Sequence, residues 1–218
     1  MNILSLNTAF KNAQIVLDCN GKIFEETFSA CSKHSENVLV GIDAVLNRAK
    51  ISVEEIDFLA CVIGPGSFTG IRIGVATIKG FVVACEKIKC IKMTSLELIA
   101  KEYFSIFKNE KQILAVMNGL SNNFFVAQYD SDLKEIISPE MTDSDGLANL
   151  ITKNKKFACS DEDADFFKVE HMPISTNVIA SLARERAEKN ETISESQLIP
   201  LYLRLSQAEQ DLIDKAKK

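Results

Sequence analysis

The chain has 218 residues and a formal net charge of −5, without the basic excess of a protein that grips nucleic acid unaided. Hydrophobic residues make up 46% and charged residues 25%, the balance of a soluble globular protein with a sizeable core. No apolar run reaches the roughly 18 residues that cross a bilayer, "MNILSLNTAF" lacks a signal peptide's basic stretch and cleavage site, and the six cysteines hold no CxxC pair. The expectation is a cytoplasmic protein with reduced thiols, no membrane contact and no zinc site.

Residues 2–7 predict a strand, and "QIVLDC" over 14–19 a second. Asn20-Gly21 is a type I′ hairpin signal, and a third strand follows over 22–28. "SENVLVGIDAVLNRA" from Ser35 has helical spacing, with Glu36 in its first turn. "DFLACVIG" from Asp57 is an apolar run suited to a buried strand. "GPGSFTGIRIGVATIKG", Gly64 to Gly80, then opens a second helix over about 69–85. "TSLELIAKEYFSIFK" predicts a linking helix, with Thr94 or Ser95 as cap and Glu97 placed to close a capping box.

The order then recurs. Shifted by 110 positions, "ILSLNTAFKNAQIVLDCNGKIFE" from Ile3 overlies "ILAVMNGLSNNFFVAQYDSDLKE" from Ile113, and the Asn20-Gly21 turn falls on Asp130-Ser131. A helix near Asp145 to Thr152, a strand from Lys156 and a helix near Asn177 to Lys189 complete the second unit. Two β-β-β-α-β-α units imply an α/β protein with a duplicated architecture. The expected division is 1–104, 105–204 and a tail helix over 205–218 that packs back on the first unit.

Gly64, Pro65 and Gly66 turn a strand into a helix, Ser67 or Thr69 can cap it, and Gly70 follows. A helix N-terminus beside such a turn suits an anion, yet no Walker pattern is present. The residues fit a phosphate cradle and a merely tight turn equally. From Gly70 to Cys85 the only charged residue besides Lys79 is Arg72, on the same stripe, and Ala76, Gly80 and Ala84 form a flat strip. A helix apolar nearly all round needs cover on more than one face. The helix from Ser35 shows the same excess in Val38, Leu39, Val40, Ile42, Val45 and Leu46. One sheet covers one face of each helix, so a partner subunit is expected on the rest. The residues expected to meet it are Leu39, Ile42, Val45, Leu46, Arg72, Ile73, Ala76, Lys79, Gly80 and Val83, with the two charges steering association from the rim.

"HSENVLVGIDAVL" from His34, "GPGSFTGIRIGVATIKGF" from Gly64, "SLELIA" from Ser95 and "PLYLR" from Pro200 resemble the TsaB/YeaZ family of tRNA threonylcarbamoyladenosine biosynthesis proteins. The resemblance covers most of 1–104 and returns at 200–204. It implies the duplicated actin-like ATPase fold (ASKHA, RNase H-like) of sugar kinases and Hsp70. It implies a non-catalytic subunit in the transfer of a threonylcarbamoyl group to N6 of adenosine 37 in tRNAs reading codons that start with A. The chemistry would belong to the paralogue TsaD, held through the two N-terminal helices and joined by the ATPase TsaE. Self-association would use the same helices, and tRNA would be met only through the complex. TsaD carries a His-x-x-x-His metal pair; the corresponding positions here are Ser95 and Ile99, so neither ligand survives. Where the fold commonly places an aspartate, this chain has Asn7, and Asn118 replaces the acid of the second unit. An amide lacks the charge that draws Mg²⁺, so no metal and no tightly bound cofactor is expected, with ATP or ADP admitted only at the interface of the complex.

Two enzymatic readings compete. A peptidase would need an activated nucleophile or water; Ser67 is in a glycine turn but not in Gly-x-Ser-x-Gly, and His34 and His171 form no pair. A small-molecule kinase or ATPase of the actin-like fold would need an acid for Mg²⁺, which Asn7 and Asn118 do not supply.

Overall fold

The computed structural model describes residues 1–29, 34–85, 87–154, 156–169 and 171–204, with backbone only at 29, 34–36 and 161. Cys31, the side chain of His34 and the tail helix expected over 205–218 lie outside the described residues.

The first sheet is built from β1 (Asn2–Asn7), β2 (Asn12–Cys19), β3 (Lys22–Ser29), β4 (Phe58–Val62) and β5 (Lys89–Met93), in the order β3-β2-β1-β4-β5. The three-strand meander is antiparallel, while β1–β4 and β4–β5 are parallel. Asn20 and Gly21 have φ of 51° and 90°, the left-handed pair a type I′ turn requires, and Gly21 N donates to Asp18 Oδ1 at 2.9 Å. Every residue of β4 is buried, because helices cover both faces of the sheet there. On one face lie α1 (His34–Ala49) and α2 (Phe68–Ala84), touching each other.

The second sheet repeats the plan. β6 (Gln112–Asn118), β7 (Asn123–Asp130), β8 (Glu135–Asp143) and β9 (Phe157–Cys159) run in the order β8-β7-β6-β9, with the same antiparallel and parallel pairings. α4 (Ser144–Asn154) packs on β6, β7 and β8, and the short α5 (Ala164–Phe167) follows β9. The recurrence in sequence is therefore a recurrence of strand order and pairing. β5 escapes the sequence pattern because "KCIKM" is short and its lysines point to solvent.

The expected boundary at 104/105 does not describe how the units pack. It falls inside α3 (Ser95–Ile106), which packs on β6, β7 and β9 of the second sheet. Conversely, α6 (Thr176–Glu188) packs on β1, β2 and β5 of the first. Its inner face, with Val178, Ile179, Leu182 and Ala183, is buried against that sheet. After α6, Ile193 N donates to Cys90 O at 2.9 Å and Leu201 N to Ile63 O at 2.8 Å. So α6 and the stretch 193–204 return to the first unit.

The exchanged helices are tied by charge. Thr94 and Glu97 close the predicted capping box, with Thr94 N donating to Glu97 at 2.7 Å. The buried Glu97 carboxylate also accepts from Arg186, whose other nitrogen reaches Lys92 O. Lys101 pairs with Glu185 at 2.5 Å, and Ser175 N donates to the buried Glu102 at 2.7 Å. Removing one partner of a buried pair leaves an unmatched charge. Arg186→Met is expected to lower unfolding free energy by about 3 kcal/mol, measured by urea titration, and adding Glu97→Gln to recover part of that loss.

Candidate functional site

The predicted strand-to-helix junction follows β4. Gly64 and Gly66 have φ of 110° and 152°, where an L side chain is strained. Ser67 is the cap of α2, its Oγ accepting from Gly70 N at 3.2 Å. A Cβ on Gly66 would stand 2.3 Å from Ala9 O, one on Gly70 2.0 Å from Thr8 O, and one on Gly74 2.4 Å from Thr8 Oγ1. Ser67 N donates to Ala9 O at 2.8 Å. The space that the glycines leave open is filled by the chain's own turn after β1. Two amides at the head of α2, Ser67 N and Gly70 N, are used internally. The close approaches at Gly66, Gly70 and Gly74 fit a tight junction between the head of α2 and the turn after β1.

The junction forms one wall of a cleft of about 890 Å³ between the units. The facing wall carries Asn118, Gly119, Glu162 and Asp163, and Leu201 to Arg204 run along its mouth. Asn7 is buried; its Oδ1 accepts from Ala9 N at 3.3 Å and its Nδ2 donates to Gln14 at 2.7 Å. Asn118 repeats this turn in the second unit, Oδ1 accepting from Leu120 N at 3.0 Å. Both asparagines thus hold the turn after the first strand of their unit. Asp163 was missed from the sequence, because no local pattern distinguishes it from its neighbours in the acidic run "DEDAD". It is partly buried beside β6, where it accepts from Asn118 N at 3.0 Å and Ser160 Oγ at 3.3 Å. Burial pushes its carboxyl above the ordinary range, opposed in part by those two bonds. Glu162 accepts from Lys11 N across the cleft.

The family model for TsaD, tRNA N6-adenosine threonylcarbamoyltransferase, matches residues 28–181. The tRNA threonylcarbamoyladenosine biosynthesis protein TsaB of Haemophilus influenzae is 23% identical over 94% of both chains, and that of Bacillus subtilis 23% identical over 100% of both. This chain belongs to that family, on its TsaB/YeaZ branch. YeaZ from Pseudomonas aeruginosa superposes with a TM-score of 0.78 at 17% identity, over 93% of this chain and 99% of its own. The fold, two sheets that repeat one strand order, is shared with YeaZ.

In this TsaB/YeaZ chain the residues expected at a partner face separate into three groups. Ile42, Val45 and Leu46 are buried, 1%, 0% and 8% exposed, against the chain's own first sheet, which corrects their assignment to an open surface. Arg72 and Lys79 are engaged within the chain: Arg72 donates to Tyr202 Oη at 2.7 Å and lies 3.9 Å over the Phe68 ring, and Lys79 pairs with Glu195 at 3.2 Å. Leu39, Ala76, Gly80 and Val83 remain exposed, with Ile73 half-buried at the edge. Val40, which the sequence placed in the apolar excess only, joins them at 63% exposure. Among the described residues nothing lies within 4 Å of a Cβ on Gly80.

Ser95 and Ile99, where the paralogue's metal pair would fall, are wholly buried in α3. Ser67 Oγ serves as a helix cap, and His171 lies 3.9 Å from Asp165, both side chains exposed.

Two outcomes follow from this geometry. Gly70→Ala is expected to cost more than about 2 kcal/mol of stability through its collision with Thr8 O, whereas Gly80→Ala gains up to about 1 kcal/mol of helix propensity; thermal unfolding of the two variants checks the contrast. For Asp163, whose folded pKa is raised, the charged form is the costly one in the folded chain. Stability therefore rises as pH falls through the folded pKa toward the unfolded value. Asp163→Asn keeps an acceptor for Asn118 N. It is expected to be at least as stable as the parent at pH 7, with the difference shrinking at about pH 4, as read from urea titrations at both values.

Proposed function

We propose that this chain is a non-catalytic subunit in the formation of N6-threonylcarbamoyladenosine in tRNA, and that it binds and supports the catalytic paralogue TsaD, with TsaE joining the pair. The observation that carries this reading is the uncovered apolar strip of Leu39 and Val40 on α1 with Ala76, Gly80 and Val83 on α2. Small residues on a helix let a second backbone approach closely, and contiguous apolar surface marks a docking site. The same strip serves a homodimer when the paralogue is absent. tRNA is met only through the complex, in agreement with the net charge of −5. The protein works in the cytoplasm; no helix among the described residues is long and apolar enough to cross a membrane.

The reading assigns no chemistry to the chain itself. A kinase or ATPase would use carboxylates where Asn7 and Asn118 hold backbone turns, and would use the amides that Ala9 O and Ser67 Oγ occupy. A nucleotide belongs, on this reading, only to the interface of the complex.

Gel filtration of an equimolar mixture with TsaD tests the proposal. Both proteins are expected to move together to a larger species at micromolar concentration; separate elution overturns the reading. Gly80→Arg places a charge in the middle of the strip and is expected to abolish the shift. Because the space above Gly80 is open among the described residues, its circular dichroism should match the parent and its thermal midpoint should be no lower.

A further inference from the structure

The stretch 193–204 leaves α6 and runs back along the first unit. It is pinned there by Ile193 N on Cys90 O, by Glu195 on Lys79, by the wholly buried Leu198 and by Leu201 N on Ile63 O. At Leu201 it reaches the glycine junction: Leu201 O would stand 3.2 Å from a Cβ on Gly64. Tyr202 then stacks on Phe68 with ring centroids 5.0 Å apart and accepts from Arg72 at 2.7 Å. One residue past Leu203 the chain crosses to the second unit, where Arg204 Nη1 donates to Gly119 O at 2.9 Å. A guanidinium on a carbonyl is a charge-assisted bond, stronger than a neutral one. Pro200 fixes one backbone angle just before the crossing and so lowers the entropy lost in ordering it.

The ties between α3 and α6 involve Glu97, Lys101, Glu102, Glu185 and Arg186, none of which lines the cleft. The units are thus joined firmly behind the cleft, and at its mouth by Arg204 on Gly119 and Lys11 on Glu162. Two bodies joined at one side open and close about that side, and whatever bridges the other side sets the balance. We propose that Leu201–Arg204 is an internal latch: it bridges the units across the mouth of the cleft, anchored by the Phe68–Arg72–Tyr202 stack and fastened by Arg204. The cleft is held shut by the chain itself. The latch rests on contacts within this chain and stands apart from the docking role of the α1–α2 strip.

Hydrogen exchange on the full chain tests it, followed at amides whose bonds lie at the two edges of the cleft. These are Leu201 N on Ile63 O, Gly119 N on Asn123 O and Asn123 N on Leu120 O. Arg204→Ala is expected to speed their exchange about tenfold or more, with β1 and α6 keeping their rates and the thermal midpoint little changed. Arg204→Lys, which retains a charged donor, should restore most of the protection. Tyr202→Ala loosens the anchor and should accelerate the same amides. Unchanged rates in both alanine variants overturn the latch. So does an acceleration spread evenly through β1 and α6, which would make Arg204 a general stabiliser.

Discussion

Helix α2 reaches the turn after β1 at backbone distance because Gly66, Gly70 and Gly74 present no Cβ to Thr8 and Ala9. That approach sets the roll of the helix. With the glycine edge against the turn, Ile71, Val75 and Ile78 face the sheet, while Ala76, Gly80 and Val83 face outward. Arg72 and Lys79 are left along a flank where only the returning chain passes, and Tyr202 and Glu195 meet them there. A bulkier residue at any of the three glycines would force the helix off the turn. The junction, the outward strip and the latch would then move together.

The parts of this fold that were legible in the sequence are those governed by local rules. Asn20-Gly21 demands a hairpin whatever surrounds it, and Thr94 with Glu97 makes a capping box out of residues three apart. The second unit was legible because strand order repeats even though side chains do not. What was hidden depends on contacts far apart in the chain. Helical spacing gives the angle between residues, but in α1 nearly every face is apolar. Nothing local says that Ile42, Val45 and Leu46 turn inward while Leu39 and Val40 turn out. Arg72 looked like a rim charge because its partner lies 130 residues away. The exchange of α3 and α6 between sheets is likewise invisible to periodicity, since each helix has an apolar face that either sheet could cover.

Several polar groups at and beside the cleft are committed to partners within the chain. Asn7 both accepts from Ala9 N and donates to Gln14, and a carboxylate cannot donate. Arg204 is committed to Gly119 O, and Asp163 to Asn118 N and Ser160. Glu162 and Asp163 also bring negative charge to the wall facing the glycine junction. Lys11 and Arg204 line the same cleft, so acidic and basic groups face one another there. Hydrogen bonds of this kind rigidify the walls that carry them.

Gly80 gives the strongest argument that α2 answers to something outside this chain. Glycine in a helix interior costs about 1 kcal/mol relative to alanine. Elsewhere in α2 the chain uses that cost: Gly70 and Gly74 each admit Thr8. At Gly80 nothing among the described residues lies within 4 Å of the missing Cβ. The same stretch exposes Val83 at 72% and borders α1 where Leu39 and Val40 are 54% and 63% exposed. Scattered exposed aliphatics need no explanation, but these gather around a backbone left bare at a helix-packing surface. A second helix laid across Gly80 could come to the 8–10 Å separation of packed helices and cover those side chains at once. The described fold accounts for two of the glycines in the helix, and the third is the one that the proposed docking of a second helix would use.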